Sequence, residues 1–290
     1  MKNGKINLGL DGLTPSDLWY QLLNAWKMSD QFDVATSSGN KQTGLPPNTT
    51  NSAWLDAVTG QVYVDADGEL INPLPADATH LTRRFETHSI NILTIYTGRY
   101  GESWVLKFDG TASSVSPGLN DVVRVGNRIT GTWPANQSNK QISFTGLDHN
   151  DPPRNIRFCP VALEARLDAG ELFNPDWLAE GARGSGIVRF MDLMVTNSNR
   201  STRTFADIPT QNFYVWGNGN TSAAQSSCYL KGGMPLSVLT SLAEQAGSHA
   251  WVCIPHVFGT PKTSRISSFS TVTITIASPA VVTWSSHGLP

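Results

Sequence analysis

The stretch Gly186-Ile187-Val188-Arg189-Phe190-Met191-Asp192-Leu193-Met194-Val195-Thr196-Asn197 decides the fold. A short run of Ile, Val, Phe and Met has the composition of a strand covered on both faces, as in a parallel sheet. Asp192, Thr196 and Asn197 follow where such a strand opens into a loop, and α/β folds place their ligand sites at these carboxyl ends. Asp192 and Asn197 are therefore candidate ligand contacts. Downstream, Met234 to Gly247 has a helical pattern, with Pro235 in the first turn, Leu236, Leu239, Leu242 and Ala243 on one stripe, and Gly247 as a left-handed stop. The apolar run Ala250-Trp251-Val252-Cys253-Ile254-Pro255-His256 then reads as a second strand. Strand, crossover helix and strand make a parallel βαβ unit, with Trp251 and His256 beside its ligand end.

Working back toward the N-terminus, Ile6-Asn7-Leu8-Gly9-Leu10 is a further strand candidate. Thr14-Pro15-Ser16-Asp17 has the form of a helix start, and Leu18, Trp19, Leu22, Leu23 and Trp26 follow at three- and four-residue spacing, a core stripe more readily than a ligand platform. Residues 40–51 turn to Gly, Pro, Asn and Thr and read as loop. Short strand-like segments follow at Gln61–Leu70, Asn91–Tyr96, Ser103–Phe108, Val122–Val125, Arg128–Trp133, Gln141–Phe144 and Asn155–Phe158. Gly126-Asn127 is a two-residue hairpin signal, and Asp109-Gly110 is another turn. This spacing predicts an antiparallel β-sandwich or jelly roll inserted into an α/β protein. Asp65, Asp67 and Glu69 alternate like the start of a calcium loop, but the distal Glu is missing, and a solvated hairpin tip is the better reading.

Composition narrows the chemistry. Charged residues make up 15% of the 290, the formal net charge is −2, and no basic field exists to hold nucleic acid or anionic lipid. No run approaches the ~18 apolar residues of a membrane span, and the N-terminus lacks the apolar core of a signal peptide. Cys159, Cys228 and Cys253 are too few and too scattered for a disulfide framework or a zinc site. Cys159 and Cys253 lie in apolar runs where a free thiol acts as a small core residue. The six histidines show no metal-binding pair on a helix face, so neither a metal nor a cofactor is expected. A charge-poor surface with nine Trp matches extracellular, carbohydrate-facing or virion proteins.

After His256 the chain changes again. Thr260 to Ser264 is a polar break, Ser270 to Ile276 alternates with period two, and Val281-Val282-Thr283-Trp284 is a second short strand. The chain reads as stopping at Pro290 just as a new β module begins. Four regions result: residues 1–54 as the first strand and helix, 55–160 as the inserted β domain, 161–259 as the βαβ continuation, and 260–290 as linker and β module.

Ile187 to Asp192 with Thr196-Asn197, the Gly233-Met234-Pro235 helix opening, Leu242 to Gly247 and Trp251 to His256 resemble secreted glycoside-hydrolase-like TIM-barrel proteins. The Tyr100 to Gly110 hairpin and the Arg-Asn-Ile-Arg segment, Arg154 to Arg157, fit the same pattern. Val281 to Trp284 and the following His-Gly-Leu-Pro resemble a β module of bacteriophage tail and fibre proteins. The resemblance implies a partial (β/α) barrel-like sheet carrying the inserted domain, with the family's Glu-bearing catalytic strand absent. Glycoside hydrolysis needs two carboxylates across the bond. Asp192 is the one acid at a strand end, Asp11 is a weaker second, and Glu244 sits late in a helix; a structural role for Asp192 is preferred.

The expected function is therefore a phage virion component of tail, baseplate or fibre. It is expected to recognise host-surface polysaccharide, to contact other phage structural proteins and to form homo-oligomers, located on the virion or otherwise outside the cell. Aromatic faces would stack on sugar rings while Asp192 and Asn197 bond hydroxyls. Trp104, Trp133, Tyr214, Trp216 and Trp251 are the aromatic candidates, and Trp216, in Trp216-Gly217-Asn218-Gly219-Asn220, reads as an exposed loop tip. An active depolymerase and a purely structural connector are the alternatives.

Overall fold

The computed structural model describes residues 6–11, 22–28, 31–35, 65, 69–76, 78, 80–85, 87–134, 140–182, 185–191, 210–212, 216, 234–252, 276–277 and 281–282. The chain divides into two compact units, Met1–Phe258 and Gly259–Pro290. In the first unit the strands are β1 (Ile6–Asp11), β2 (Gln31–Ala35), β3 (His80–Phe85), β4 (Ser103–Asp109), β5 (Ala112–Ser116) and β6 (Asn120–Val125). They continue with β7 (Arg128–Thr132), β8 (Lys140–Leu147), β9 (Arg154–Pro160), β10 (Ser185–Met191) and β11 (His249–Val252). Among the described residues three α-helices accompany them, α1 (Thr87–Tyr100), α2 (Glu164–Asp168) and α3 (Leu236–Gln245). In the second unit, β12 (Ile276–Ala277) pairs antiparallel with β13 (Val281–Val282).

The βαβ unit forms as its sequence pattern dictates. β10 lies between β1 and β11 and is parallel to both, with Leu8, Val188 and Ala250 in one row and Gly9, Arg189 and Trp251 in the next. α3 packs Val238, Leu239, Leu242 and Ala243 into the same core as Val188 and Phe190. Pro235 is the residue before the helix, and its carbonyl accepts from the amides of Val238 and Leu239. Gly247 ends it at φ +65°, where the Gly247 amide bonds the Glu244 carbonyl and the Ser248 amide reaches back to Ala243, each at 2.9 Å. That pair of bonds is the Schellman stop, and a residue without Cβ adopts it at least cost. No closed barrel occurs among the described residues; the fold is mixed α/β, mostly antiparallel sheet.

Two four-stranded antiparallel sheets, ordered β2-β3-β8-β5 and β6-β7-β4-β9, share a core. Alternation sets it: along β4, Trp104, Leu106 and Phe108 are buried on one face, and Phe108 meets Phe144 of β8 edge to face at 5.2 Å. Gly126-Asn127 makes the expected two-residue turn between β6 and β7, with Gly126 at φ +60° as a II′ turn requires. Arg124 then staples the two sheets at one side, donating to the carbonyls of Ala112 (2.8 Å) and Ser113 (3.2 Å) on β5 and to that of Gly126 (2.9 Å).

Two readings of the sequence are corrected. Asn91 to Tyr96 lies within helix α1 instead of a strand. Its β-branched residues favour a strand locally, but Leu93, Tyr96 and Tyr100 recur with helical period on the buried side, and burial outweighs propensity. The expected helix through Leu22, Leu23 and Trp26 is not α-helical where described. Leu22 bridges to Phe173 and the Leu23 amide bonds the Leu172 carbonyl, then Ala25–Met28 makes a 3-10 turn. The side chain of Asn24 takes the Trp26 amide and so competes with helix continuation. Residues 12–21 and 61–64, where the rest of that helix and the Gln61 strand were expected, lie outside the described residues.

Helix α2 is fastened to the outer face of the β6-β7-β4-β9 sheet by charge. Lys107 and Arg128 sit opposite one another on β4 and β7. Arg128 bonds Glu164 through two 2.8 Å contacts, and Lys107 reaches both Glu164 (3.3 Å) and Asp168 (2.6 Å). Hydrogen bonds from Arg128, and then from Lys107, hold the Glu164 carboxyl below the usual glutamate range against the opposing effect of burial. A lowered folded-state pKa means a contribution to stability that is whole above the unfolded value, about 4.3, and lost as pH falls through the folded one. Glu164→Gln should therefore flatten the acid limb of stability against pH, with little change of shape above pH ~6, as followed by urea unfolding. Gly110→Ala should be worse than any surface change. Gly110 has φ +85°, and a Cβ there would strike the Pro152 carbonyl. A loss above about 1 kcal/mol and a lowered Tm in calorimetry are expected.

Candidate functional site

A side-chain amide builds a cleft among the described residues. Asn24 Oδ1 accepts from the amide of Phe158 at 3.0 Å, and Asn24 Nδ2 donates to the carbonyl of Ile156 at 3.2 Å. The side chain thus occupies the free edge of β9 as a strand would, and lays residues 22–27 along it. Tyr96 fixes the same segment from below, its buried hydroxyl donating to the Leu22 carbonyl at 2.5 Å. Lys27 fixes the far wall: its Nζ donates to the carbonyls of Asn212 (3.2 Å) and Gln211 (3.5 Å) and lies 5.2 Å from the centre of the Trp216 ring, while its own carbonyl accepts from the Trp216 amide.

The open cleft has a volume of about 500 Å³. Its floor is apolar, with Leu22, Trp26, Ile156, Leu167, Leu172 and Trp216, and its rim is polar, with Arg154, Asn155, Glu171, Asp65 and Glu69 among others. Arg154 is oriented by the Asp151 carboxylate (2.7 Å) and the Pro152 carbonyl (3.2 Å), and it remains exposed. The Asp151 carboxyl is in turn drawn below its ordinary range, first by that bond and then by Thr111. Asn155 stands at φ +49°, a left-handed conformation that Asn tolerates better than most, and donates to Asp109 at 3.0 Å. Arg157 spends its terminal nitrogens on Asp168 (3.1 Å) and Asp109 (3.8 Å). Its buried Nε, like the buried indole nitrogen of Trp216, has no hydrogen-bond partner. Asp65 and Glu69 are bonded to each other, the Asp65 amide donating to the Glu69 carbonyl and the Glu69 amide to the Asp65 carboxylate.

The Tyr100 hydroxyl, with one proton to donate, lies between two acceptors, Asn174 Oδ1 (2.5 Å) and Asp176 Oδ2 (2.8 Å), and Asn174 Oδ1 also accepts the Asp176 amide. Burial pushes both tyrosine hydroxyls well above the ordinary phenol range, so they stay protonated donors. Cys159 is buried, and burial pushes its thiol up to about 12, so it acts as packing and not as a nucleophile at neutral pH. No group of three metal-binding side chains occurs among the described residues.

The residues chosen from sequence fall in three places. Trp104 is core: it is fully buried, its ring centre 4.8 Å from those of both Trp133 and Phe158 in tilted contacts, and its Nε1 donates to Thr97. It offers no face to a ligand, because its β4 position points into the shared core. Trp216 is no exposed loop tip; it is 2% exposed and lines the floor of the cleft under the Lys27 ammonium. Trp251 alone of these is open, 55% exposed on the edge strand β11. Glu244 is exposed on the last turn of α3. Asp11 ends β1 in register with Met191 at the end of β10. Asp192, Asn197, Tyr214 and His256 lie outside the described residues. Sequence reading passed over Asn24 and Lys27 entirely and marked Arg154 to Arg157 only as a motif; an Asn interrupting an apolar stripe was the available signal.

No protein-family model matches the chain, and neither a curated protein nor a solved structure is significantly similar to it. Asn24→Ala should leave the Phe158 amide and the Ile156 carbonyl without their partner, lowering stability by about 1–3 kcal/mol in urea titration.

Proposed function

We propose that this protein recognises a glycan through the Asn24–Arg154 cleft, as a host-surface attachment component of a bacteriophage particle. The observation that carries the reading is the make-up of the cleft. Guanidinium, amide and carboxylate groups stand around an apolar floor in a volume of about 500 Å³, room for one or two sugar rings. Sugars present that same pairing, hydroxyls at the ring edge and C–H groups on the ring face. Because Lys27 covers Trp216, the cleft works through its polar rim, and Trp251, 55% exposed, is a candidate stacking face among the described residues. The phage assignment rests on the resemblance of the C-terminal segment, and in this reading the three parallel strands are what remains of a glycosidase-like barrel.

The depolymerase alternative has one observation in its favour, the carboxylates of Asp65, Glu69 and Glu171 on the cleft rim. A panel of bacterial surface polysaccharides separates the readings. Binding is expected by calorimetry without release of reducing ends, and Arg154→Ala should weaken it about tenfold while leaving the fold intact. Release of reducing ends would establish the depolymerase, and absence of binding to every polysaccharide would sink both.

A further inference from the structure

Among the described residues the two large sheets end in β2, β5, β6 and β9, and the last three of these edges are treated differently. The edge of β9 is occupied by the Asn24 amide, and two carbonyls of β5 are taken by Arg124. β6 is an edge strand with all six residues exposed, and three are valines: Val122 at 45%, Val123 at 59% and Val125 at 71%. Open apolar edges invite strand pairing. Two features limit where that pairing can run. Asp121, at φ +50°, lies in a register irregularity between Asn120 and Val123, which leaves Val122 to Val125 as the regular part of the strand. Next to the two-residue turn Val125 pairs with Arg128, so the antiparallel alternation leaves the amide and carbonyl of Arg124 facing the free side.

We propose that β6 pairs antiparallel with β6 of a second copy of this chain, about a two-fold axis through Arg124. The occupant follows from self-complementarity. A two-fold normal to the sheet sets a residue opposite itself, so Arg124 exchanges its two backbone hydrogen bonds with Arg124 of the second copy. Val123 then faces Val125 of the second copy, and Val125 faces its Val123, which places four valines on one side in cross-strand contact. The arginine side chains, which would otherwise oppose each other on the other side, are already withdrawn. Each guanidinium is held by the carbonyls of Ala112, Ser113 and Gly126 of its own chain and lies 5.8 Å from the Phe108 ring. On the valine side, α2 is fastened through Arg128 and Lys107 on the neighbouring strands. The pairing continues the β6-β7-β4-β9 sheet across the axis, and it does not depend on the glycan reading.

Sedimentation velocity of the full chain up to about 100 μM tests it. A reversible species of twice 31.4 kDa is expected. Val123→Lys and Val125→Lys should each weaken association at least about tenfold, with unchanged circular dichroism. A mixture of Val123→Cys and Val125→Cys chains should form a cross-linked heterodimer under mild oxidation, the register bringing those two positions face to face. A monomer at every concentration, an oligomer untouched by both lysine variants, or failure of the mixture to cross-link would each overturn the proposal.

Discussion

An antiparallel sheet must end somewhere, and the last strand carries backbone groups that want partners. In this protein the amide of Asn24 supplies them for β9, accepting from Phe158 and donating to Ile156 with the one donor and one acceptor that a passing strand would offer. The bond is local in chemistry and long in reach. Through it the 22–27 segment lies on the rim of the sheet, and with that segment come the Leu22 carbonyl that Tyr96 holds and the Lys27 ammonium that holds Gln211, Asn212 and Trp216. Apolar packing alone would bring these pieces together without fixing their register.

The sheet β6-β7-β4-β9 divides its labour between faces. Toward the shared core it presents Trp104, Leu106, Phe108 and Phe158, each fully or nearly fully buried and each contributing ~1.5–3 kcal/mol by transfer from water. Toward the other side the same strands present Lys107, Arg128 and Arg157, matched by Glu164, Asp168 and Asp109. Exposed ion pairs of this kind add little individually. Their work is positional: they set α2 over the sheet and orient Arg157 beneath the cleft, where its Nε is left without a partner.

Some of this was legible in the sequence and some was not, for physical reasons. The βαβ unit was readable because each signal in it is local and they agree: the apolar run of β10, the stripe of α3, and Gly247 at the stop. The β6-β7 hairpin was readable from Gly126-Asn127 alone. β2, β3 and β5 were not, since Gln31–Ala35, His80–Phe85 and Ala112–Ser116 are short or polar and owe their strand form to the neighbours they pair with. Asn91 to Tyr96 misled because its side chains favour a strand while its buried face has helical period. The cleft escaped notice for a different reason. Nothing in the identity of Asn24 or Lys27 announces a partner far along the chain, and the aromatic residues that drew attention, Trp104 and Trp216, are the ones the core had already claimed.

That separation also governs how the molecule comes to be. The bonds that define the cleft join residues 132, 134, 184 and 185 positions apart. Closing loops of that length costs conformational entropy before any contact repays it, and topologies rich in such contacts fold slowly. Contacts of that separation are expected to form later than local ones such as the β6-β7 hairpin and the α3 turn. The geometry of the cleft is then a property of the finished chain and belongs to no excised fragment. Occupancy of the cleft by any ligand would report on, and by mass action stabilise, the assembly of segments drawn from nearly the whole of the first unit.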